Sequence, residues 1–304
     1  MALLRRLLGT LATLVLLSLL CLALLRAAPG GPFDQEKLAA PEVQAALAER
    51  YRLDQSWWQQ SLDYLSHALR GDLGPSFHYP DFAVHELIAA ALPITLGLGS
   101  LALLLALAAA IGVAATVASG GSAWGDRLLA MACLGLMALP KFVLAPLLIL
   151  LFALGLKWLP AGGWDPADPR HYVLPVLTLA LPQFALLLRA LHQSLEAALH
   201  SAPVRAALAR GLSRRRVVWR HALPLALSQS SGYLGPVAIA LLTGSAVVEQ
   251  VYGLPGLGRY LVQAALNRDY TLVLGVVLTV ALIVSVVQLI VELLLRWIDP
   301  RVRG

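Results

Sequence analysis

Long apolar runs alternate with short polar connections along most of the chain. A helix needs about 20 apolar residues to cross about 30 Å of hydrocarbon, and six stretches meet this requirement. They cover residues 7–25, 92–117, 128–156, 173–191, 225–248 and 272–298. The pattern therefore predicts an all-α membrane protein with six transmembrane helices.

Two of the predicted spans contain residues that disturb a helix. The third holds Pro140, Lys141 and Pro146, and the fourth holds Pro175 and Pro182. Proline is tolerated in a spanning helix when neighbouring helices satisfy the freed carbonyls, so we expect kinks inside a bundle. A lysine at membrane depth must face protein or water. Lys141 is either a residue of a transport pathway or a side chain that reaches the interface from a helix beginning later.

A cleaved signal peptide is the alternative to a retained first span. Arg5 and Arg6 precede the first apolar run, and Ala27-Ala28-Pro29 resembles a cleavage site. The apolar run, however, exceeds the 7–15 residues typical of a signal peptide. The pattern favours a retained helix.

Composition supports lipid as the solvent of this chain. Hydrophobic residues make up 59% of the sequence and charged residues 13%, whereas a soluble domain carries about 25% charged residues. Cys21 and Cys133 both lie in apolar runs, so no disulfide framework is predicted. The basic residues flank apolar runs, which fits membrane topology and not nucleic-acid binding.

Charge is distributed unevenly between the connections. Arginines concentrate between predicted spans four and five and again after span six, and the positive-inside rule places these parts in the cytoplasm. Residues 27–91 are rich in Asp and Glu, which predicts an extracytoplasmic segment. An even number of spans then leaves both termini in the cytoplasm, so the expectation is a multi-pass membrane protein.

These patterns divide the chain into four regions. Residues 1–28 form the first transmembrane helix, and residues 29–91 form a periplasmic segment with short helices expected over residues 41–51 and 56–69. Residues 92–298 form a five-helix core domain with a cytoplasmic loop at 192–224. Residues 299–304 form a cytoplasmic tail.

A small-residue helix is predicted within the basic loop. Pro203 is a good first helical residue and Gly211 a good helix stop, and Leu223-Pro224 marks the return to the membrane. Such a helix can enter a groove on another protein while its arginines pair with acidic groups there. The residues expected to make this contact are Arg205, Ala206, Ala207, Ala209, Arg210, Gly211, Leu223 and Pro224.

Glycine and proline are dense at residues 249–258, between spans five and six. Irregular backbone at membrane depth must be buried in protein or line a water-filled cavity, so we interpret this stretch as a periplasmic gate. The alternative is a re-entrant turn with a structural role, and one stretch can serve as both. A carboxylate at this depth needs a partner, and for Glu249 the options are Arg268 or a positively charged amino group of a bound molecule. The predicted gate residues are Glu249, Tyr252, Gly253, Pro255, Gly256, Gly258, Arg268 and Asp269.

The spacing in the basic loop resembles the coupling loop of membrane subunits of binding-protein-dependent ABC importers. In that family Glu-Ala-Ala, three residues, Gly, nine residues, Ile, one residue and Leu-Pro form the contact with the ATPase. Here Arg205 stands in place of the Glu and His221 in place of the Ile. The peptide-permease branch commonly has Arg at the first of these positions and a second Arg where this chain has Leu208.

Further stretches extend the resemblance over nearly the whole chain. Residues 25–33, 71–77, 243–258, 265–270 and 298–301 are similar to the membrane subunits of oligopeptide permeases. The chain thus resembles the peptide and nickel permease family, and within it the oligopeptide permeases. Dipeptide, murein-peptide and nickel ABC permeases are the alternatives.

The resemblance implies a type I ABC importer permease fold and a channel-forming, non-catalytic subunit in the bacterial inner membrane. Peptides would pass from a periplasmic binding protein to the cytoplasm. The implied partners are a second homologous permease subunit, two ABC ATPase subunits, the peptide-binding protein and the lipid bilayer. ATP and Mg²⁺ would bind to the ATPases, and this chain would bind no cofactor.

Polar residues within or beside the spans are candidates for the peptide pathway, although helix–helix hydrogen bonding is an equally good role for each. They are Gln183, Ser228, Gln229, Ser230, Ser231, Thr243 and Ser245.

Several other chemistries lack their sequence patterns. There is no Gly-x-x-x-x-Gly-Lys-[Ser/Thr] loop for ATP and no His-Glu-x-x-His or Cys-x-x-Cys metal pattern. His192 and His200 are therefore expected to be ordinary interfacial histidines, and no metal site is predicted. A stand-alone secondary transporter would often show an internal repeat, which this sequence lacks. An intramembrane protease would need a Ser–His or Asp pair within the spans, and none occurs.

Overall fold

A computed structural model describes residues 2–27, 56–120 and 123–298. The helix predicted over residues 41–51, most of the 25–33 motif and the tail at 299–304 lie outside the described residues. Almost all of the described chain is helical. The helices are α1 (Ala2–Ala27), α2 (Trp57–Ala68), α3 (Val84–Gly120), α4 (Ala123–Ala138), α5 (Lys141–Leu148), α6 (Arg170–Leu199), α7 (Ala202–Ala209), α8 (Arg214–Val217), α9 (Leu223–Ser230), α10 (Leu234–Tyr252), α11 (Leu257–Leu266) and α12 (Tyr270–Ile298).

Five stretches among the described residues are long and apolar enough to cross a membrane, and a sixth arises if one bent helix pair counts as a span. The five are Leu8–Ala27, Val84–Gly120, Arg170–Leu199, Arg214–Tyr252 and Tyr270–Leu295. The bent pair is Trp124–Ala138 with Lys141–Gly155. This agrees with the all-α, six-span fold class predicted from the apolar runs.

The third predicted span, residues 128–156, is not one continuous helix, because its two halves meet at an angle of 102°. The break falls at Pro140, whose backbone is extended with ψ of 144°. Proline has no N–H to donate, and it disfavours helical backbone in the residue before it. The chain therefore leaves α4 before Pro140 and begins α5 after it, and the second half ends in a π-helical stretch, Ile149–Gly155.

Lys141 begins α5 immediately after this break. Its ammonium donates a hydrogen bond to the carbonyl of Ala240 in α10 at 3.3 Å. The same ammonium lies so close to the backbone of Gly244 that a Cβ at that position would collide with it. Lys141 therefore faces protein, as the cost of a charge in lipid requires.

The first of two compact units comprises Met1–Thr95 and Pro255–Ser285. Its core contains Leu22 of α1, Ile88 of α3 and Leu272 of α12, all buried. The Arg26 guanidinium at the end of α1 donates to the Gln60 side chain of α2 at 2.8 Å. Helix α1 thus packs as part of this unit, and its retention in the mature protein stays a prediction.

The second unit comprises Leu96–Leu254 and Val286–Gly304. Helix α6 is its centre, because α4, α5, α9 and α10 all pack against it. Leu179, Leu188 and Leu195 of α6 are fully or almost fully buried. Met131 and Leu134 of α4, by contrast, are more than half exposed, as expected of a face that meets lipid or another apolar protein surface.

Candidate functional site

The short helix predicted in the basic loop is present as α7 and follows α6 after a two-residue connection. Ser201 is extended and precedes the helix, Pro203 lies in its first turn, and the N–H of Arg205 closes that turn on the Ser201 carbonyl at 3.0 Å. Proline suits this place because the first N–H groups of a helix have no partner within it.

Gly211 ends α7 in a left-handed conformation, with φ of +82°. Its N–H donates to the Leu208 carbonyl at 2.9 Å, and the N–H of Leu212 donates to the Ala207 carbonyl at 3.4 Å. These two bonds form a Schellman motif, in which glycine is favoured because it has no Cβ. A Cβ at Gly211 would meet no heavy atom within 4 Å, so the backbone conformation, and not crowding, requires glycine here.

The two faces of α7 differ sharply. Val204 and Ala207 are buried against the rest of the unit. The opposite face is exposed and combines two arginines with small side chains; it consists of Arg205, Ala206, Ala209 and Arg210. A flat surface of alanines flanked by guanidinium groups can come close to a partner and pair with its carboxylates.

A continuous helical path runs from the end of the basic loop to the far end of α10. The Arg214 Nε donates to the Ala118 carbonyl at 2.8 Å, which anchors α8 to the end of α3. A π-helical turn, Val218–Ala222, joins α8 to α9 directly before Leu223-Pro224. Pro224 has no N–H to donate within the helix, and the wider π-helical turn before it accommodates the missing hydrogen bond. Leu223 is buried and Pro224 is exposed.

The predicted gate stretch is more regular than its sequence suggested. The prediction that irregular backbone begins at residue 249 was wrong, because α10 continues to Tyr252 and ends at Gly253 with φ of +70°. The Leu254 N–H then donates to the Glu249 carbonyl at 2.8 Å. Glu249 lies inside the helix and is fully buried. Its proposed pairing with Arg268 or with a peptide stays a prediction.

Tyr252 connects three segments of the second unit. Its phenol oxygen lies 2.9 Å from the Thr178 hydroxyl of α6 and 3.4 Å from the Ala145 carbonyl of α5. Its carbonyl accepts from the Gly163 N–H at 2.7 Å, and the side chain is 2% exposed. These contacts give Tyr252 a packing role at the end of α10.

Asp269 caps α12 in the first unit. Its buried carboxylate accepts from the Leu272 N–H at 3.0 Å, the Thr271 hydroxyl at 3.0 Å and the His78 N–H at 3.1 Å, and also from the Ser76 hydroxyl. An aspartate at this position satisfies N–H groups that the helix leaves without partners. The same carboxylate ties the loop before α3 to the beginning of α12.

Arg268 and the remaining gate residues lie in the part of the chain between α10 and α12. Arg268 has a left-handed backbone, with φ of +55°, in a second Schellman motif that ends α11. Pro255 is partly buried, and Gly256 and Gly258 are buried. The Leu257 N–H donates to the Thr95 hydroxyl at 2.9 Å. These contacts hold α11 in the first unit.

The pathway candidates fall into two groups. Gln229 and Thr243 are exposed and Gln183 is partly exposed. Ser245 is 1% exposed and its hydroxyl donates to the Leu242 carbonyl of its own helix at 2.8 Å. Gln183, Gln229 and Thr243 therefore have accessible side chains, whereas Ser245 is enclosed within the chain. Whether any of them lines a pathway stays a prediction.

One cluster escaped the sequence analysis. Asp126 at the beginning of α4 meets His192 and Glu196 near the end of α6, with ligand-type atoms all within 4.8 Å of one another. The signal in the sequence is the four-residue spacing of His192 and Glu196, which places both on one helix face. Asp126 could not be added without knowing how α4 and α6 pack.

Comparison with known proteins identifies the relatives of this chain. A family model described as binding-protein-dependent transport system inner membrane component matches residues 106–304. The oligopeptide transport system permease protein OppB of Salmonella typhimurium is 42% identical over 99% of this chain and 98% of that protein. The OppB protein of Haemophilus influenzae is 40% identical, with 98% of both chains covered.

Two further matches are more distant. The dipeptide transport system permease protein DppB of Bacillus subtilis is 31% identical over 96% of this chain and 94% of that protein. A chain from a crystal structure of an amino acid ABC transporter with histidines matches with a TM-score of 0.50 at 22% identity, covering 71% of this chain and 94% of that chain. This structural match shows the fold alone.

Proposed function

This chain belongs to the family of binding-protein-dependent transport system inner membrane components, and we propose that it is a channel-forming subunit of an ATP-driven oligopeptide importer. The observation that carries the proposal is the similarity to oligopeptide permeases, which extends over nearly the full length of both chains. A dipeptide importer is the second candidate, because dipeptide permeases also match over nearly the full length, at lower identity.

The proposed assembly contains this chain, a second homologous permease, two ABC ATPase subunits and a peptide-binding protein. ATP and Mg²⁺ bind to the ATPases, and this chain has no catalytic role. A second permease fits the extensive apolar surface of α4, where Met131 and Leu134 are exposed. The peptide passes between the two permeases after its release from the binding protein.

The exposed face of α7 is the proposed contact with an ATPase. Arg205 and Arg210 are exposed beside small residues, which suits docking into an acidic groove. The buried face of the same helix holds Val204 and Ala207, so a displacement of α7 is transmitted to the residues packed beneath it. Coupling requires an element with two states that both ATP and peptide bias.

The turn after α10 is the proposed outer gate. Helical structure from Arg214 to Tyr252 gives a direct mechanical connection from the basic loop to this turn. Tyr252 is buried, so a cysteine there would report on packing. Cysteines at Gln250 and Val251, both exposed, are better placed to show whether labelling changes when the ATPases are trapped with ATP.

Transport by the reconstituted complex tests the proposed function. Proteoliposomes containing the two permeases and two ATPases, with binding protein and labelled peptides of two to eight residues outside, should accumulate peptide only with ATP inside. We expect peptides longer than two residues to be transported. Uptake without the ATPases would identify a secondary transporter, and uptake of dipeptides alone would identify the second candidate.

Reporter fusions test the proposed orientation. A reporter of cytoplasmic location fused after Gly304 should be active, and a periplasmic reporter inserted near Lys37 should also be active. The physical reason is the excess of arginine in the basic loop and near the C-terminus. A periplasmic C-terminus would contradict the orientation, and a cleaved N-terminus would contradict the retention of α1.

A further inference from the structure

Asp126, His192 and Glu196 form a three-residue cluster within the second unit, beside the basic loop. The His192 Nε2 lies 3.4 Å from a carboxylate oxygen of Asp126 and 3.6 Å from one of Glu196. The three residues line one side of a pocket of about 640 Å³ that also touches Arg205 and Leu208 of α7. The cluster therefore lies between the end of α6 and the proposed ATPase contact.

The distances in this cluster suit a metal ion better than a direct ion pair. A charged N–H···O bond is about 2.7–2.9 Å long, and both contacts of His192 are longer than that. Ligand atoms on a tetrahedral zinc ion, with bonds of about 2.0–2.2 Å, lie about 3.3–3.6 Å apart. The two histidine–carboxylate separations fall in that range.

The orientation of the imidazole also favours coordination through one nitrogen. The His192 Nε2 faces the two carboxylates, at 3.4 Å from Asp126 and 3.6 Å from Glu196, so it is the nitrogen placed to coordinate an ion. The His192 side chain is mostly buried, with 15% of its surface exposed. Imidazole nitrogen and carboxylate oxygen are both ligand types that zinc accepts, and zinc sites with three protein ligands keep a fourth position for water.

We propose that Asp126, His192 and Glu196 bind a divalent transition-metal ion of the zinc type. Water from the adjoining pocket supplies the remaining coordination. Arg205 and Arg214 line the same pocket, and their positive charge weakens the attraction for a cation, so the binding is reversible and of moderate affinity. The Arg214 Nε is turned away to the Ala118 carbonyl.

A bound ion would join two helices at the base of the proposed ATPase contact. Asp126 belongs to α4, whereas His192 and Glu196 belong to α6, and α6 ends three residues after Glu196. The ion would therefore restrain the segment from which α7 departs. This consequence rests on the proposed function, but the metal site itself does not.

Zinc content of the purified complex tests the site. The complete complex, carrying a tag without histidines, is equilibrated with ZnCl₂, freed of unbound metal and measured by mass spectrometry of the element. Asp126→Asn and Glu196→Gln keep the side-chain shape and should each lower the content by one zinc ion per complex. His200→Gln is the matched control, because His200 lines the same pocket outside the cluster, and it should keep the wild-type content.

Stability and transport provide the second measurement. Zinc should raise the melting temperature of the wild-type complex and of His200→Gln but not that of Glu196→Gln, and it should slow peptide transport in the same pattern. Equal zinc content in all variants would overturn the site. Zinc binding that leaves transport unaffected would overturn the restraint on α7. Zinc content is measured without peptide, so a failure of the transport assay does not affect the test of the metal site.

Discussion

Gly211→Trp should lower peptide transport at least ten-fold while the complex still hydrolyses ATP. Gly211 ends α7 with φ of +82° on an exposed surface, so the indole would project from the face proposed to meet the ATPase. A non-glycine residue in left-handed backbone costs about 1–2 kcal/mol, which is too little to unfold the chain. The measurement is ATP-dependent uptake beside ATPase activity in the same proteoliposomes.

Gly71 offers a matched control for the backbone strain that Gly211→Trp introduces. It has φ of +83°, and a Cβ there would also meet no heavy atom within 4 Å, so Gly71→Trp imposes a similar backbone cost away from α7. We expect Gly71→Trp to transport peptide at near wild-type rates. Gly211→Asn, which tolerates the left-handed conformation, should retain most activity. Wild-type transport by Gly211→Trp would show that the ATPase does not dock at this surface.

Asp269→Ala should destabilise the chain by about 3 kcal/mol, because it removes a helix cap and leaves buried donors without their acceptor. The carboxylate is fully buried and accepts from groups on both sides of it, including the Leu272 and His78 N–H groups. We expect a clear fall in the melting temperature of the solubilised complex, which is measured by tryptophan fluorescence. Asp269→Asn keeps one carbonyl acceptor, so its melting temperature should lie between those of the wild type and Asp269→Ala.

Asp165→Ala is the control for losing a carboxylate from a turn. Asp165 is exposed, and its carboxylate accepts from the Ala167 N–H at 2.9 Å. Asp165→Ala should therefore lower the free energy of unfolding by well under half as much as Asp269→Ala, because water replaces the carboxylate. A wild-type melting temperature for Asp269→Ala together with lost transport would contradict the capping role. It would support the gate role predicted from sequence instead.

Local sequence determined much of this protein. The length of each apolar run follows from the thickness of a bilayer and the rise of a helix, and helical segments cover all six runs, although the third is divided at Pro140. The short helix α7 was equally predictable, since Pro203 and Gly211 act through their own backbone at its two ends. The arginine-rich loop that carries it needed only a count of charges.

Tertiary structure decided which side chains meet. Asp269 was predicted to be a gate residue, which stays a prediction, but nothing in the sequence indicated that its hydrogen-bond partners include Ser76 and His78, nearly 200 positions away. Tyr252 likewise bonds to Thr178 of another helix. The alternation of apolar and polar residues contains no information about such pairs, because it reports only whether a position favours lipid, protein or water.

The cluster of Asp126, His192 and Glu196 shows the same division most clearly. His192 and Glu196 share a helix face because of the helical repeat alone, so their sequence spacing was enough to bring them together. Asp126 joins them only because α4 packs against α6. Helix packing depends on the fit of many side chains at once, each contact contributing little energy, and a pattern read along one chain does not determine that fit.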